Sequence, residues 1–253
     1  ESKTGNYQNT SPLNYDCAMT QIICLANSWK HGDRCIAGIN SLKGQWIRPV
    51  SSLPDGRIPK EMRLIGRTEP AILDVLEIPL AKTGQDFGFE CENLSVLPGE
   101  WRRVGKVPPA YLNKYCSKEE YILHNDQRYV TVSFLQSLPM VQRRTLQLVK
   151  AVAFSVRSTG QRFEGGEKWE GSIVTDNGQR LTATITDPVF IRRLELGHRP
   201  QSPCLVTVSL SMPWRPPDWE GDDPCWKLIA AVVELPEAAK STVERETDDE
   251  LPF

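Results

Sequence analysis

The chain has 253 residues, 40% of them hydrophobic and 25% charged, and a net charge of −2. This composition is that of ordinary folded protein, and the length allows one large domain or two small ones. No apolar run approaches the roughly 18 residues that span a membrane, and the first part of the chain lacks the apolar centre of a secretory signal. We therefore expect a cytoplasmic protein without membrane contact.

Short apolar runs begin at Met19, after a polar stretch at 1–18 that predicts a disordered N-terminal extension. The runs read as strands and lack helical periodicity, which predicts a first barrel of the OB type within 19–100. The predicted strands lie at 21–26, 34–39, 45–50, 71–78 and within 87–97.

The next segment, 101–147, differs because it contains a Pro-Pro break and only two short patterns, at 118–123 and 133–138, that predict short helices or turns. We interpret it as a short helical connector. Strand patterns then resume and predict a second OB-like barrel within 148–236. The second set of predicted strands lies at 146–154, 173–175, 180–186, 204–210 and 226–233.

Charge divides the chain unevenly. Residues 237–253 hold six acids and two bases, a balance of −4, which leaves the rest of the chain at +2. We predict a flexible, disordered acidic tail at 237–253 behind a mildly basic body, a distribution that fits a nucleic-acid-binding protein. The predicted fold class is thus mainly β, with two tandem OB-like barrels, a helical connector and this tail.

Cysteine and histidine usage argues against a metal site. The seven cysteines are scattered, no Cys-x-x-Cys pair occurs, and the chain has only three histidines. We expect free thiols in a reducing cytoplasm, with no metal and no cofactor.

The densest group of polar, aromatic and basic residues follows the first predicted strand. Lys30 and Arg34 have the chemistry to neutralise phosphate, Asn27 and Ser28 to hydrogen-bond phosphate or sugar, and Trp29 to stack on a base. The alternative is an ordinary polar turn in which Asn27 and Ser28 bond the backbone and Trp29 shields one end of a barrel.

Strand alternation places Trp46 and Arg48 on one face of the third predicted strand. This pair would form a stacking platform beside a cation, or an arginine packed on an indole ring for structural reasons.

Further basic residues fall in stretches that we predict to be loops framing a ligand groove. These basic residues are Arg102, Arg103, Arg157 and Arg162.

We also predict that Trp226 lies in the core, because a strongly apolar strand follows it.

Several runs of the body are similar to motifs of one family. They lie at 24–30, 32–38, 46–51, 186–188 and 227–231. The resemblance is to the prokaryotic dual OB-fold domain family and spans roughly residues 20–234. It implies two OB barrels and, by analogy with other OB proteins, an oligonucleotide-binding groove.

The final six residues resemble the acidic tip by which bacterial single-stranded-DNA-binding proteins recruit replication, recombination and repair enzymes. Their carboxylates suit a basic rim, and the terminal ring suits an apolar pocket. The alternative is a solvated acidic tail. The six residues are Asp248, Asp249, Glu250, Leu251, Pro252 and Phe253.

The sequence lacks a phosphate-binding loop, a dinucleotide fingerprint and a metal-binding carboxylate set, so we predict no enzymatic activity. The predicted function is binding of single-stranded DNA, with RNA as the alternative strand, together with recruitment of DNA replication and repair enzymes by the tip. The alternative is a dual-OB sensor or adaptor in a prokaryotic defence or mobile-element system.

Overall fold

The computed structural model describes residues 19–161 and 166–236, which divide into two compact units. Unit 1 contains 19–107 together with Val132–Thr145, and unit 2 contains the remaining described residues. The predicted N-terminal extension and the predicted acidic tail lie outside the described residues.

Unit 1 is built on a six-stranded sheet. Its strands are β1 (Met19–Lys30), β2 (Asp33–Ile39), β3 (Trp46–Val50), β4 (Asp74–Pro79), β5 (Asn93–Ser95) and β6 (Arg102–Lys106). They lie in the order β5-β3-β2-β1-β4-β6, and only the β3–β5 pair is parallel. The sheet curls, because a single bridge between Leu80 and Val96 joins the chain after β4 to the chain after β5.

The core of unit 1 lies inside the curl. Residues alternate across β4, so that Leu76 and Ile78 are fully buried while Glu77 is not. Ile22 from β1, Ile36 from β2 and Trp101 join them in one apolar cluster. Two short helices, α1 (Lys60–Arg63) and α2 (Val132–Ser137), complete the unit.

Unit 2 contains a closed barrel. Its strands are β7 (Tyr129–Thr131), β8 (Leu146–Gln161), β9 (Glu167–Thr175), β10 (Arg180–Ile185), β11 (Cys204–Leu210) and β12 (Pro224–Glu234). They lie in the order β10-β9-β8-β11-β12-β7, and a parallel pairing of β10 with β12 closes the five long strands into a ring. This connectivity is that of an OB barrel. The predicted fold class, mainly β with two OB-like units, is confirmed.

A helix that we did not predict, α3 (Pro188–Glu195), connects β10 to β11. Asp187 begins it, because its Oδ1 accepts hydrogen bonds from the backbone N–H groups of Val189 and Phe190 at 2.9 and 3.0 Å. Pro188 occupies the first helical position. The helix buries Phe190, whose ring lies 6.3 Å from that of Phe154.

The residues of the predicted connector are shared between the two units. β6 pairs with β4 in unit 1, Pro108–Thr131 belongs to unit 2, and Val132–Thr145 returns to unit 1. The stretch 133–138, predicted to be a short helix or turn, corresponds to α2, and the other such stretch, 118–123, is mostly irregular. No helix among the described residues has the length and apolarity to span a bilayer.

The edge strand β6 differs from the other strands because all five of its residues are exposed. Its pairing with β4 shifts register, so that Leu76 faces Arg103 and Val75 faces Gly105. Val104 therefore forms a bulge without a partner on β4. Three of the five residues are cations.

We expect Gly38→Ala to lower the free energy of unfolding of unit 1 by about 1–3 kcal/mol, because a Cβ at position 38 clashes with the carbonyl oxygen of Ile23. Gly105→Ala is the matched control: its Cβ meets only Val75 at 3.8 Å, an ordinary contact. Urea denaturation of both variants measures the difference. Equal stability of the two variants would contradict the close approach of β1 and β2.

Candidate nucleic-acid interface

The β1–β2 hairpin of unit 1 brings Trp29 and Arg34 together as a cross-strand pair. The Arg34 guanidinium carbon lies 3.8 Å from the centroid of the Trp29 ring, and its Nε lies 3.3 Å from Glu69 Oε2. Lys30 extends from the same hairpin, with its ammonium 5.9 Å from the Phe87 ring. These three predicted residues are therefore close together, but Arg34 already has an aromatic and an anionic partner.

Neighbouring arginines of unit 1 are also paired with acids. Arg63 contacts Asp33 at 3.1 Å and Glu69 at 3.0 Å, and Arg57 contacts Asp55 at 3.1 Å. Partial burial acts to raise the pKa of Glu69, but hydrogen bonds and charge from Arg63 and Arg34 hold it below its usual range. The surface around the hairpin is an ion-pair network with little excess positive charge.

Asn27 and Ser28 are buried, with 7% and 5% of their surfaces exposed. Asn27 Nδ2 donates to the carbonyl of Pro70 at 2.7 Å, and Ser28 Oγ lies 3.5 Å from the carbonyl of Cys35. The prediction of phosphate or sugar contacts for these two residues is corrected. Both polar groups instead bond the backbone, which was the alternative interpretation.

Arg48 is also buried, with only 3% of its side chain exposed. Its guanidinium forms an ion pair with Glu90 and donates to Asn93 Oδ1 at 3.4 Å and Thr145 Oγ1 at 2.9 Å. Burial acts to lower the pKa of Arg48, but the nearby carboxylates, Glu90 foremost, outweigh it and raise the pKa. We correct the prediction that Arg48 forms a stacking platform with the half-buried Trp46.

Arg102 and Arg103 lie on β6 and not in a loop, because this segment pairs with β4. Arg103 Nε contacts Asp74 Oδ2 at 2.6 Å, and its Nη2 donates to the carbonyl of Glu69 at 3.1 Å. Arg102 is exposed opposite Glu77. Arg162 lies outside the described residues.

The outer face of the unit 2 barrel presents a different arrangement. Register places Arg157 of β8 opposite Glu170 of β9, Glu170 opposite Thr184 of β10, and Thr184 beside Leu228 of β12. Arg157 therefore lies on a strand, and not in the predicted loop. These residues form one continuous row across four strands.

Two arginines meet at Glu170. Arg157 donates from Nε at 3.2 Å and from Nη2 at 2.7 Å to Oε2, while Arg128 Nη2 donates to Oε1 at 2.9 Å. The arginine side chains are 68% and 54% exposed, respectively. Hydrogen bonding from Arg157 holds the pKa of Glu170 below its usual range, against the opposing effect of burial. The group carries one net positive charge.

An aromatic shelf, formed by Tyr129, Trp219 and Trp226, lies on the same outer face of the barrel, because Trp226 and Leu228 alternate to the same side of β12. Its three ring centroids are 4.8 to 5.5 Å apart in tilted or edge-to-face contacts. Tyr129 directly follows Arg128 in sequence. Trp226 lies on the outer side of β12, opposite Tyr129, and is therefore half-buried in the shelf. This position corrects our prediction that Trp226 lies in the core. The tryptophans with buried side chains are Trp101 and Trp169.

Trp214 is bonded to the shelf through its backbone and has 61% of its surface exposed. Its carbonyl accepts a hydrogen bond from Trp226 Nε1 at 2.9 Å, and its N–H donates to the carbonyl of Pro224 at 3.1 Å. The loop that carries Trp214 and Trp219 joins β11 to β12, one of the loops that frame the ligand face in OB folds.

The sequence did not assign Arg128 and Tyr129 to a site, because they lie in the predicted connector. Tyr129 begins β7, which has only three residues, too few for a periodic signal, and Arg128 directly precedes this strand. Among the described residues, no group of three or more His, Cys, Asp or Glu side chains is placed to hold a metal ion.

Fold and site together define a protein of two tandem OB-type units, a fold used for binding nucleic acids or oligosaccharides. A family model described as the dual OB-containing domain matches residues 20–232. The chain therefore belongs to this family.

The chain is also similar, with 7% identity, to a solved structure described as the crystal structure of the tetrameric p202 HIN2. The match covers 86% of this chain and 92% of that one with a TM-score of 0.28, which is too low to support any inference. No curated protein matches the sequence.

We expect Arg48→Met to lower the free energy of unfolding of unit 1 by about 3–5 kcal/mol, because Glu90 then remains buried without its cation. Arg102→Met, which removes an exposed cation, should stay within about 0.5 kcal/mol of the parent. Chemical denaturation compares the two variants, and adding Glu90→Gln to Arg48→Met should restore part of the loss. Parent-like stability of Arg48→Met would contradict the structural role.

Proposed function

We propose that the protein binds single-stranded nucleic acid, single-stranded DNA foremost, on the outer face of the unit 2 barrel. The observation that carries the proposal is that one barrel face holds both the aromatic shelf and the pair Arg128 and Arg157, two exposed arginines held by one carboxylate. Aromatic rings stack on unpaired bases, and arginines contact the phosphates between them.

The arginines favour a phosphate-bearing chain over an uncharged oligosaccharide. Aromatic surfaces accept sugar rings as well as bases, but a neutral sugar offers no partner for the net positive charge of the Arg128–Glu170–Arg157 group. The shelf in turn favours single strands over duplex, because the faces of paired bases are stacked on one another.

The ion-pair network of unit 1 supports a lesser role for its hairpin. Arg34, Arg57 and Arg63 each contact at least one carboxylate. A phosphate would have to compete with these acids, so we assign the principal contacts to unit 2. We further propose that the protein acts without catalysis, in the cytoplasm.

The experiment is a titration of the full chain with single-stranded DNA, single-stranded RNA, duplex DNA and a neutral oligosaccharide, followed by tryptophan fluorescence. We expect quenching by the single strands and affinity that falls as salt rises. Absence of binding to every oligonucleotide at low salt would contradict the proposal and favour the adaptor function. Comparison of the DNA and RNA curves identifies the preferred strand.

We expect Trp214→Ala to weaken binding of oligo-dT roughly 5- to 150-fold, which corresponds to about 1–3 kcal/mol for one stacked base. Trp29→Ala is the matched control, because Trp29 is also exposed, at 41%, but lies in the compensated hairpin of unit 1. Its affinity should stay within about twofold of the parent. A larger loss for Trp29→Ala than for Trp214→Ala would move the site to unit 1.

We also propose that the segment 248–253 recruits DNA-processing proteins. Its support is the resemblance of these six residues to the tip of bacterial single-stranded-DNA-binding proteins, and the chemistry of acids followed by Leu251, Pro252 and Phe253.

Deletion of 248–253 should leave oligo-dT affinity unchanged or slightly higher, because three carboxylates that repel phosphate are removed. The same deletion should abolish capture of replication or repair enzymes from a bacterial lysate, identified by mass spectrometry. Phe253→Ala, which keeps the acidic side chains, is the control for charge and should also fail to capture these enzymes. Retention of the same enzymes by both variants would refute recruitment by the tip.

A further inference from the structure

Glu170 differs from the two arginines around it in burial. Its side chain is 11% exposed, whereas those of Arg128 and Arg157 are 54% and 68% exposed. The carboxylate therefore lies beneath the two guanidinium groups. Each arginine has five N–H donors, and the Nη1 of each has no hydrogen-bond partner among the described residues. Unused donors thus remain on the outer side of the pair.

The bonds to Glu170 also fix the arginines in place. Arg157 binds Oε2 through two nitrogens, a forked contact that restricts the rotation of its guanidinium plane. Arg128 binds the other oxygen, so the two cations approach one carboxylate from different sides. Glu170 itself is constrained by its pairing with Arg157 on β8 and Thr184 on β10.

We propose that Glu170 is a positioning residue that builds one phosphate site between Arg128 and Arg157, next to the aromatic shelf. The site would take one phosphodiester of a bound single strand while the adjoining base stacks on the shelf. This inference rests on the proposed function and adds a role for an acid that, as a charge alone, could only oppose nucleic-acid binding.

Charge and positioning predict opposite results for Glu170→Gln. If only charge mattered, loss of an acid would tighten binding. It would also make the decrease of log K with log salt steeper, by about 0.7 in slope. If Glu170 positions the arginines, its loss frees two long side chains that must then be ordered on binding, at a cost for each. We expect Glu170→Gln to weaken oligo-dT binding about 3- to 10-fold, while the decrease of log K with log salt becomes no steeper.

The matched control is Glu167→Gln, which removes the same charge from an exposed position on the same strand, β9. We expect it to leave affinity unchanged or slightly raised. Arg157→Lys provides a second comparison, because it keeps the charge but loses the forked contact, and should weaken binding as Glu170→Gln does. All are measured on the full chain with labelled oligo-dT over a range of salt.

A double-mutant cycle separates positioning from general damage to the fold. If Glu170 acts through Arg157, Glu170→Gln should have a smaller effect in an Arg157→Ala background than in the parent. A full effect in both backgrounds would overturn the proposal, as would tightening of Glu170→Gln to the level of Glu167→Gln. Either result leaves the proposed function intact, whereas failure of the parent protein to bind oligo-dT refutes the proposed function itself.

Discussion

The site in unit 2 depends on the parallel pairing of β10 with β12. Thr184 lies opposite Leu228 and Ile185 opposite Ile229, and these two residue pairs close the barrel. Without the closure, β10 and β12 would lie at opposite ends of the five long strands in an open sheet. With it, the row from Arg157 through Glu170 and Thr184 continues onto the strand that carries Trp226. A cationic group and an aromatic group from distant parts of the sequence thereby lie on one face.

The contrast between the units lies in where their acids are. In unit 1, Glu69 and Asp33 come close to the hairpin arginines, and Glu90 is buried with Arg48. In unit 2, one acid, Glu170, is shared by two exposed arginines. An arginine is available to a ligand only when its acid partners leave some of its donors uncommitted. Two surfaces of one chain can therefore carry similar numbers of charged groups and still differ in how many arginine donors a ligand can bind.

The sequence allowed prediction of most strands because alternation and apolar runs are local signals. The strand predicted at 204–210 is β11, and the alternating run at 180–186 is β10 with one residue more. The acid partners of the arginines could not be predicted in the same way. Arg48 meets Glu90 across 42 positions of sequence, and Arg128 meets Glu170 across the same distance. Such pairs follow from strand register and barrel closure, which no local pattern contains.

The missed helix α3 had a local signal, an Asp followed by Pro at the helix start, but only eight residues in which to show periodicity.

The edge strand β6 affects how the protein meets other copies of itself. Its bulge at Val104 breaks the even row of backbone donors and acceptors, and its cations repel an identical strand. This edge of the unit 1 sheet is therefore a poor template for a second copy of β6, and the two features act against strand-by-strand association at high concentration.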